Sequence, residues 1–124
     1  MKSEYIGDYG EMCAARYLRR QGVSLIAAQY RTRLGEVDLI FWEKGTLVFA
    51  EVKTRTPGMF ARPGESVDAA KQRRIALASA AYLTHKKIDA PCRFDVLEVY
   101  LNDDDGVDRV LWLKDAFDAE GMNI

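Results

Sequence analysis

The chain has 124 residues and a formal net charge of −1, with 48% hydrophobic and 30% charged residues. This composition is typical of a globular protein, and the length suits one compact domain over residues 1–124. No apolar run approaches the roughly 18 residues needed to span a bilayer, and the N-terminus lacks an apolar signal-peptide core. We therefore expect a cytoplasmic protein with no membrane partner.

The charges are unevenly distributed along the chain. Residues 1–93 contain 16 Lys and Arg against 10 Asp and Glu, whereas residues 94–124 contain 2 against 9. The longer part could present a positive surface to a polyanion such as nucleic acid. The alternative is a set of ordinary solvated faces followed by an acidic tail.

The first half of the chain predicts one helix followed by three strands. The helical pattern runs from Ser3 to Gln21, and Gly22 suits its C-terminal stop. Strands are expected at 23–30, 36–43 and 46–53. The last two strands form a β-hairpin whose turn is Lys44-Gly45.

The second half predicts a loop, a helix and two strands. The segment 54–66 holds two Pro and two Gly and should be a loop. Ser66 or Asp68 can cap a helix that runs to about His85. Strands follow at 92–100 and 107–114, and residues 115–117 are expected to begin a short terminal helix. The whole pattern predicts an α/β fold with a central mixed sheet flanked by helices, in the order α-β-β-β-α-β-β.

The predicted hairpin brings two carboxylates together. With the turn at 44–45, Asp38 faces Glu51 across the two strands, and directly opposed Cβ atoms lie roughly 4.5–5.5 Å apart. Lys53 shares this face because side chains alternate along a strand. The opposite face is apolar throughout and consists of Val37, Leu39, Phe41, Val48, Ala50 and Val52.

Two carboxylates at this separation in a partly buried place repel each other, so one takes up a proton or a cation lies between them. Lys53 neutralises one charge, whereas a hard divalent ion neutralises both. A structural Glu51–Lys53 ion pair with Asp38 merely nearby is the alternative. Helical spacing also places Glu11 and Lys71 on the apolar stripes of the two helices. Convergent charges in a buried place are typical of a functional site.

Several segments resemble known proteins. The runs GEVDLIF and VFAEVKTR, joined by a hairpin turn, resemble the core of PD-(D/E)xK nucleases, with Val37 at the motif's nominal Pro. More closely, the chain resembles the YraN-type family of bacterial proteins, which is related to archaeal Holliday-junction resolvases. That resemblance implies a restriction-endonuclease-like fold. It is carried by Gly7, Gly10-Glu11, RTRLGEVDLI, EVKTR, Lys71 and RFDV at 93–96.

The resemblance implies a metal-dependent nuclease site. Asp38 and Glu51 would bind Mg²⁺ or Mn²⁺ together with the Val52 carbonyl. Lys53 would be the catalytic lysine, and Glu11 would be a catalytic acid carried on the first helix. The implied function is an endonuclease that binds nucleic acid and hydrolyses phosphodiester bonds, with branched or damaged DNA as a candidate substrate. The alternative is a non-catalytic nucleic-acid-binding module that retains the nuclease fold.

Basic residues on the segments that frame this site are expected to grip a phosphate backbone. The loop 54–66 suits a flap over nucleic acid, and Glu36 either assists Asp38 or is a solvated residue at the start of its strand. DNA is the expected partner, and a homodimer is kept as a hypothesis. The basic residues are Arg31, Arg33, Arg55, Arg62, Lys71, Arg73 and Arg74.

Overall fold

The computed structural model describes residues 3–57 and 67–118. Most of the predicted loop, including Arg62, lies outside these residues. The described residues form seven elements in the predicted order: α1 (Ser3–Arg20), β1 (Ser24–Arg31), β2 (Glu36–Glu43), β3 (Thr46–Arg55), α2 (Ala69–Lys86), β4 (Cys92–Leu101) and β5 (Val107–Phe117).

The strands form one mixed sheet in the order β1-β2-β3-β4-β5. Neighbouring strands are antiparallel except for β3 and β4, which are parallel. A parallel pair needs a long crossover, and α2 lies in that connection. The predicted α/β architecture is therefore confirmed.

The two helices cover opposite faces of the sheet. α1 packs through Ala14 and Leu18 on the face that carries Phe41 and Val48. α2 covers the other face with a second group of buried residues that includes Ile40, Phe49, Ile75 and Tyr82. Both faces of the β2–β3 hairpin are thus buried, as its apolar pattern predicts. Within the part of the chain that the structure describes, neither helix combines the length and apolarity that a bilayer span needs.

The hairpin turn lies where the sequence places it. Lys44 and Gly45 have φ values of +49° and +83°, which suit a two-residue type I′ turn. The predicted register is confirmed in the pairs Trp42–Leu47 and Ile40–Phe49.

The cap of α2 is Asp68, whose side chain accepts a hydrogen bond of 2.8 Å from the backbone N–H of Lys71. An aspartate at this position satisfies a backbone donor that has no partner within the helix. The alternative cap, Ser66, lies outside the described residues. This cap fixes Lys71 in the first turn of α2.

Two strand boundaries differ from the prediction because partner strands extend them. β3 continues through Arg55, which pairs with Tyr100 of β4. Residues 115–117 belong to β5 and are not a helix, since Phe117 pairs with Phe94. In both places the backbone partner on a neighbouring strand overrides the local preference.

The predicted position of Val37 is also wrong. Val37 packs with Ile40 on the α2 side of the sheet and not with Leu39 on the α1 side. The regular pairing of β2 with β3 ends at Leu39 and Ala50, so strict alternation of side chains no longer applies beyond that point. The alternation of side chains along β2 is therefore broken between Val37 and Leu39, next to Asp38.

Candidate functional site

The candidate site lies where the regular pairing of β2 and β3 ends. Asp38 and Glu51 follow the last pair of this ladder and are not part of it. Instead, the Oδ2 atom of Asp38 accepts a hydrogen bond of 2.8 Å from the backbone N–H of Val52. The Asp38 side chain thus ties the two strands together where the ladder stops, which keeps it close to Glu51.

The two carboxyl groups of Asp38 and Glu51 form a buried pair. Their exposed fractions are 9% and 3%. Burial, and then the charge of Glu51, raises the pKa of Asp38 to about 8, although the bond from Val52 N–H opposes this rise. Near neutral pH the Asp38 carboxyl is therefore mostly protonated, which relieves the repulsion between the two groups.

Two ammonium groups share the Glu51 carboxylate. Lys71 Nζ lies 2.5 Å from Glu51 Oε1, and Lys53 Nζ lies 3.9 Å from the same oxygen. Lys71 comes from the first turn of α2, so the packing of that helix brings the closer cation to Glu51. Lys71, predicted as a nucleic-acid-binding residue, is therefore the main counter-ion of Glu51.

The two lysines have different proton affinities. Burial, and then the positive charge of Lys71, lowers the pKa of Lys53. Burial also disfavours the charged form of Lys71, but the hydrogen bond and charge of Glu51 outweigh it and raise the pKa of Lys71. Lys71 is thus a firmly held cation, whereas Lys53 releases its proton more easily.

Glu11 approaches the cluster from α1. Its Oε1 atom is buried and has no hydrogen-bond partner within the described residues. Burial is the main cause that raises the pKa of Glu11, and the charge of Glu51 contributes to the rise. A buried polar atom without a partner is uncommon, so this oxygen is available to a bound cation or water.

Gly10 sets the distance between α1 and β3. A Cβ atom at Gly10 would collide with the side chain of Thr54, which lies next to Lys53 on β3. Only glycine therefore lets the helix that carries Glu11 come this close to the strand that carries Glu51 and Lys53.

The cluster opens into a pocket of about 350 Å³ between α1, β3 and α2. A larger cavity of about 500 Å³ lies between the end of α2 and the end of β5, and none of the site carboxylates lines it. The smaller pocket is the relevant one, because it exposes Glu51 and both lysines. Its lining consists of Ile6, Gly7, Glu51, Val52, Lys53, Thr54, Thr56 and Lys71.

The donor set fits a hard divalent ion. No group of three Asp, Glu, His or Cys side chains converges as a complete metal site in residues 3–57 and 67–118. Mg²⁺, however, commonly takes one or two protein carboxylates and keeps several waters. Asp38 and Glu51 offer two adjacent carboxyl groups, and Glu11 offers an oxygen that has no partner. A bound cation would relieve the unfavourable contact between the two acids.

The prediction for Arg55 is wrong in one respect. Arg55 lies in β3 and not in a loop, and its guanidinium binds the fully buried Glu98 at 3.0 Å. With its side chain only 13% exposed, Arg55 is not displayed to a nucleic-acid backbone. Sequence reasoning missed Glu98, although its alternation with Phe94 and Val96 in the fourth strand was a signal for an inward position.

The other predicted basic residues lie beside the site. Arg31 forms an exposed ion pair of 3.0 Å with Glu36, so Glu36 is the solvated residue of the two alternatives and does not assist Asp38. Arg73 and Arg74 are exposed on α2, and Arg33 is exposed in the turn between β1 and β2.

Sequence reasoning also missed a second buried charged cluster. Asp95 is fully buried and accepts two hydrogen bonds of 2.8 Å from Arg93 and one of 2.8 Å from Trp112 Nε1. It also accepts one of 2.9 Å from the backbone N–H of Asp115. The run RFDV holds both charges, but the partner Trp112 is supplied only by β5.

The fold and the site define an α/β protein with a five-stranded mixed sheet and a buried acid–lysine cluster. Residues 10–99, which include every site residue from Glu11 to Lys71, match the family described as "Uncharacterised protein family UPF0102". The chain therefore belongs to the UPF0102 family.

Relatives of this family resemble the chain over most of its length. The UPF0102 protein of Symbiobacterium thermophilum is 45% identical over 118 residues, which cover 94% of this chain and 99% of the relative. A UPF0102 protein of Methylobacillus flagellatus is 40% identical over 114 residues, covering 92% and 97% of the two chains. One of Nitrosococcus oceani is 40% identical over 116 residues, covering 92% of each.

Proposed function

We propose that this protein is a metal-dependent endonuclease of the PD-(D/E)xK type, which binds nucleic acid, foremost DNA, and hydrolyses phosphodiester bonds. The observation that carries the proposal is the meeting of Asp38 with Glu51 and Lys53, of which Glu51 and Lys53 line a pocket that is open to solvent. A Glu–Lys pair alone is a common ion pair. A second buried carboxyl against it is unfavourable for folding, which favours a role in ligand binding.

In this proposal Asp38 and Glu51 hold Mg²⁺ or Mn²⁺, together with the Val52 carbonyl. The bound ion would lower the pKa of a water molecule and stabilise charge on the phosphate. Glu11 accepts a hydrogen bond from water in the site through its free oxygen. The Val52 N–H holds the Asp38 carboxyl in a fixed orientation toward Glu51.

The two lysines have separate roles in this proposal. Lys53 lies on the pocket wall with 26% of its side chain exposed. It orients the attacking water or donates a hydrogen bond to the phosphate in the transition state. Lys71 is bound to Glu51 and adds positive charge at the same place, where it attracts the phosphate backbone.

A cleavage assay tests the proposal. The protein is incubated with Mg²⁺ or Mn²⁺ and single-stranded, duplex or four-way-junction DNA, and we expect cleavage of at least one substrate. Lys53→Ala should remove cleavage and leave nucleic-acid affinity largely unchanged, since one phosphate contact is a small part of the total. Lys44→Ala, in the exposed turn at the far end of the hairpin, is the matched control and should cleave normally.

The alternative is a nucleic-acid-binding module without turnover. The 2.5 Å contact between Lys71 and Glu51 favours it, because this ion pair satisfies Glu51 without any metal. If the wild type binds nucleic acid but cleaves no substrate with either metal, and Lys53→Ala changes nothing, the binding module is the correct function. If the wild type binds no nucleic acid at low salt, both functions are wrong.

A further inference from the structure

Two arginines beside the site carry charge that the described part of the chain does not neutralise. No carboxylate of residues 3–57 and 67–118 pairs with Arg33 or Arg74, and both side chains are exposed. Neighbouring cations, in contrast, have partners. These pairs are Arg31–Glu36, Arg55–Glu98 and Lys71–Glu51.

The two unpaired arginines line one concave surface. It has a volume of about 320 Å³ and lies between α2 and the turn that joins β1 to β2. Three guanidinium groups and a single carboxylate border it, so its formal charge is positive. The complete lining is Arg31, Thr32, Arg33, Leu34, Gly35, Glu36 and Arg74.

The turn that carries Arg33 is held in one shape. The Thr32 N–H donates to the Gly35 carbonyl at 2.8 Å, and the Thr32 Oγ1 accepts from the N–H groups of Leu34 and Gly35 at 3.1 Å. A Cβ atom at Gly35 would collide with the backbone carbonyl of Arg74, so glycine lets the turn press directly on α2. The backbones that carry Arg33 and Arg74 are therefore preorganised side by side, which lowers the entropy cost of binding one anion between the two side chains.

Helix α2 connects this surface to the acid–lysine cluster. Lys71 and Arg74 are three residues apart, which corresponds to a rise of about 4.5 Å and places them on neighbouring parts of one helix face. Lys71 contacts Glu51, whereas Arg74 borders the β1–β2 turn. A sugar–phosphate backbone that passes the acid–lysine cluster would reach the arginine surface with its next phosphates.

We propose that Arg33 and Arg74 bind a second backbone phosphate of the nucleic acid, on the same strand as the phosphate at the acid–lysine cluster. This inference rests on the proposed function and adds the path of the substrate: along the first turns of α2 and over the β1–β2 turn. Guanidinium groups suit this role because they bind phosphate oxygens through two parallel hydrogen bonds.

The test measures binding of a fluorescently labelled 16-base-pair DNA duplex by anisotropy, in EDTA and over a series of salt concentrations. The variants are Arg33→Gln, Arg74→Gln and the double variant. Each single change should weaken binding and reduce the slope of log K against log salt by about 0.9, and the double variant by about 1.8. Arg20→Gln removes another exposed arginine, at the end of α1, and should leave the slope unchanged. Thermal unfolding of each variant checks that it is folded.

The outcomes separate this inference from the proposed function. If the wild type binds the duplex and the two single variants and the double variant all keep the salt slope of the wild type, as Arg20→Gln does, the inference is wrong and the proposed function stands. If the wild type binds neither this duplex nor single-stranded DNA at low salt, the proposed function and the inference both fail. If millimolar inorganic phosphate stabilises the wild type but not the double variant, while duplex affinity is equal in both, the surface binds a free anion and the inference is overturned.

Discussion

Two clusters of buried charge lie on the same sheet and differ in how their acids are satisfied. Asp95 accepts four hydrogen bonds, and every donor to it belongs to Arg93, Trp112 or the backbone. Asp38 accepts one backbone hydrogen bond and otherwise faces the carboxyl group of Glu51. Folding alone accounts for the first cluster, since its charges compensate one another. The second cluster holds two carboxyl groups against each other, an arrangement that folding alone does not favour and that is typical of functional sites.

The pKa values of Glu43 and Asp38, one acid from each cluster, move in opposite directions. In the satisfied cluster of Arg93 and Asp95, Glu43 is a second partner of Arg93 at 2.8 Å. Burial disfavours the charged form of Glu43, but hydrogen bonds from Lys114 and Arg93 outweigh it and lower its pKa. In the acid–lysine cluster, burial and the charge of Glu51 raise the pKa of Asp38 to about 8. A carboxyl group whose pKa is lowered on folding stabilises the folded protein at neutral pH, whereas one whose pKa is raised destabilises it.

The largest effect is expected for Asp95→Asn. This change takes the buried carboxylate away from the Arg93 guanidinium, and breaking such a pair typically costs about 3–5 kcal/mol. Glu43 stays at 2.8 Å from Arg93, so we expect the lower end of this range. The free energy of unfolding in urea measures it. Asp89→Asn, at an exposed position, is the control and should change stability by less than about 0.5 kcal/mol. A loss for Asp95→Asn as small as that of the control would show that the satisfied cluster is dispensable.

The second prediction has the opposite sign. In Asp38→Asn the side-chain oxygen can still accept from Val52 N–H, and the amide can donate to Glu51 as a protonated acid does. We expect the metal-free protein to gain about 2–4 kcal/mol at pH 7, because folding no longer has to protonate a carboxyl group that is ionised in the unfolded chain. The same urea measurement, made in EDTA, tests this. A loss of stability would mean that the two acids do not strain the fold.

The gain from Asp38→Asn should also depend on pH. The pKa of Asp38 rises from 3.8 to about 8 on folding, so between these values the folded state binds more protons than the unfolded state. Stability contributed by this group is therefore lost as pH rises from about 4 to about 8. The advantage of the Asn variant should grow across this range and then level off. A constant advantage from pH 5 to pH 9 would contradict the raised pKa.

The smallest effect concerns the affinity for metal. The ammonium group of Lys71 lies 2.5 Å from the Glu51 carboxylate, so a metal ion that binds Glu51 has to compete with this ammonium group. Lys71→Gln should tighten Mn²⁺ binding by about three- to tenfold, as expected for the loss of one partly exposed ion pair. Lys53→Gln should act more weakly because its ammonium lies 3.9 Å away. Calorimetry measures these affinities.

Asp38→Asn is the control for the metal measurement and should abolish Mn²⁺ binding. If Lys71→Gln weakens the binding of Mn²⁺, then Lys71 supports the metal site and does not compete with it. If Asp38→Asn binds Mn²⁺ as the wild type does, the ion binds elsewhere and the acid–lysine cluster is not the metal site.

Features that depend on short stretches of chain were predictable from the sequence. The two-residue turn at 44–45 fixes the register of the hairpin as far as Leu39 and Ala50, and this register carries Asp38 and Glu51 to adjacent places at its end. The helical stripes also predicted that Glu11 and Lys71 face inward. The element order follows from the same kind of pattern, because the hydrophobic period of a helix or strand and its capping or turn residues all lie within a few positions in the chain.

Only the tertiary structure decided which distant partners meet. The parallel pairing of β3 with β4 places Arg55 in a strand, where it binds Glu98. The packing of α2 places Lys71 closer to Glu51 than Lys53 is. The pairing of β4 with β5 likewise made residues 115–117 a strand. These contacts join residues far apart in the chain, and their energies depend on burial and geometry after the layers have packed. Local periodicity does not contain that information, so the sequence placed the acids and Lys53 on one face and Lys71 on an inward stripe, but it did not show that Lys71 is the closer counter-ion of Glu51.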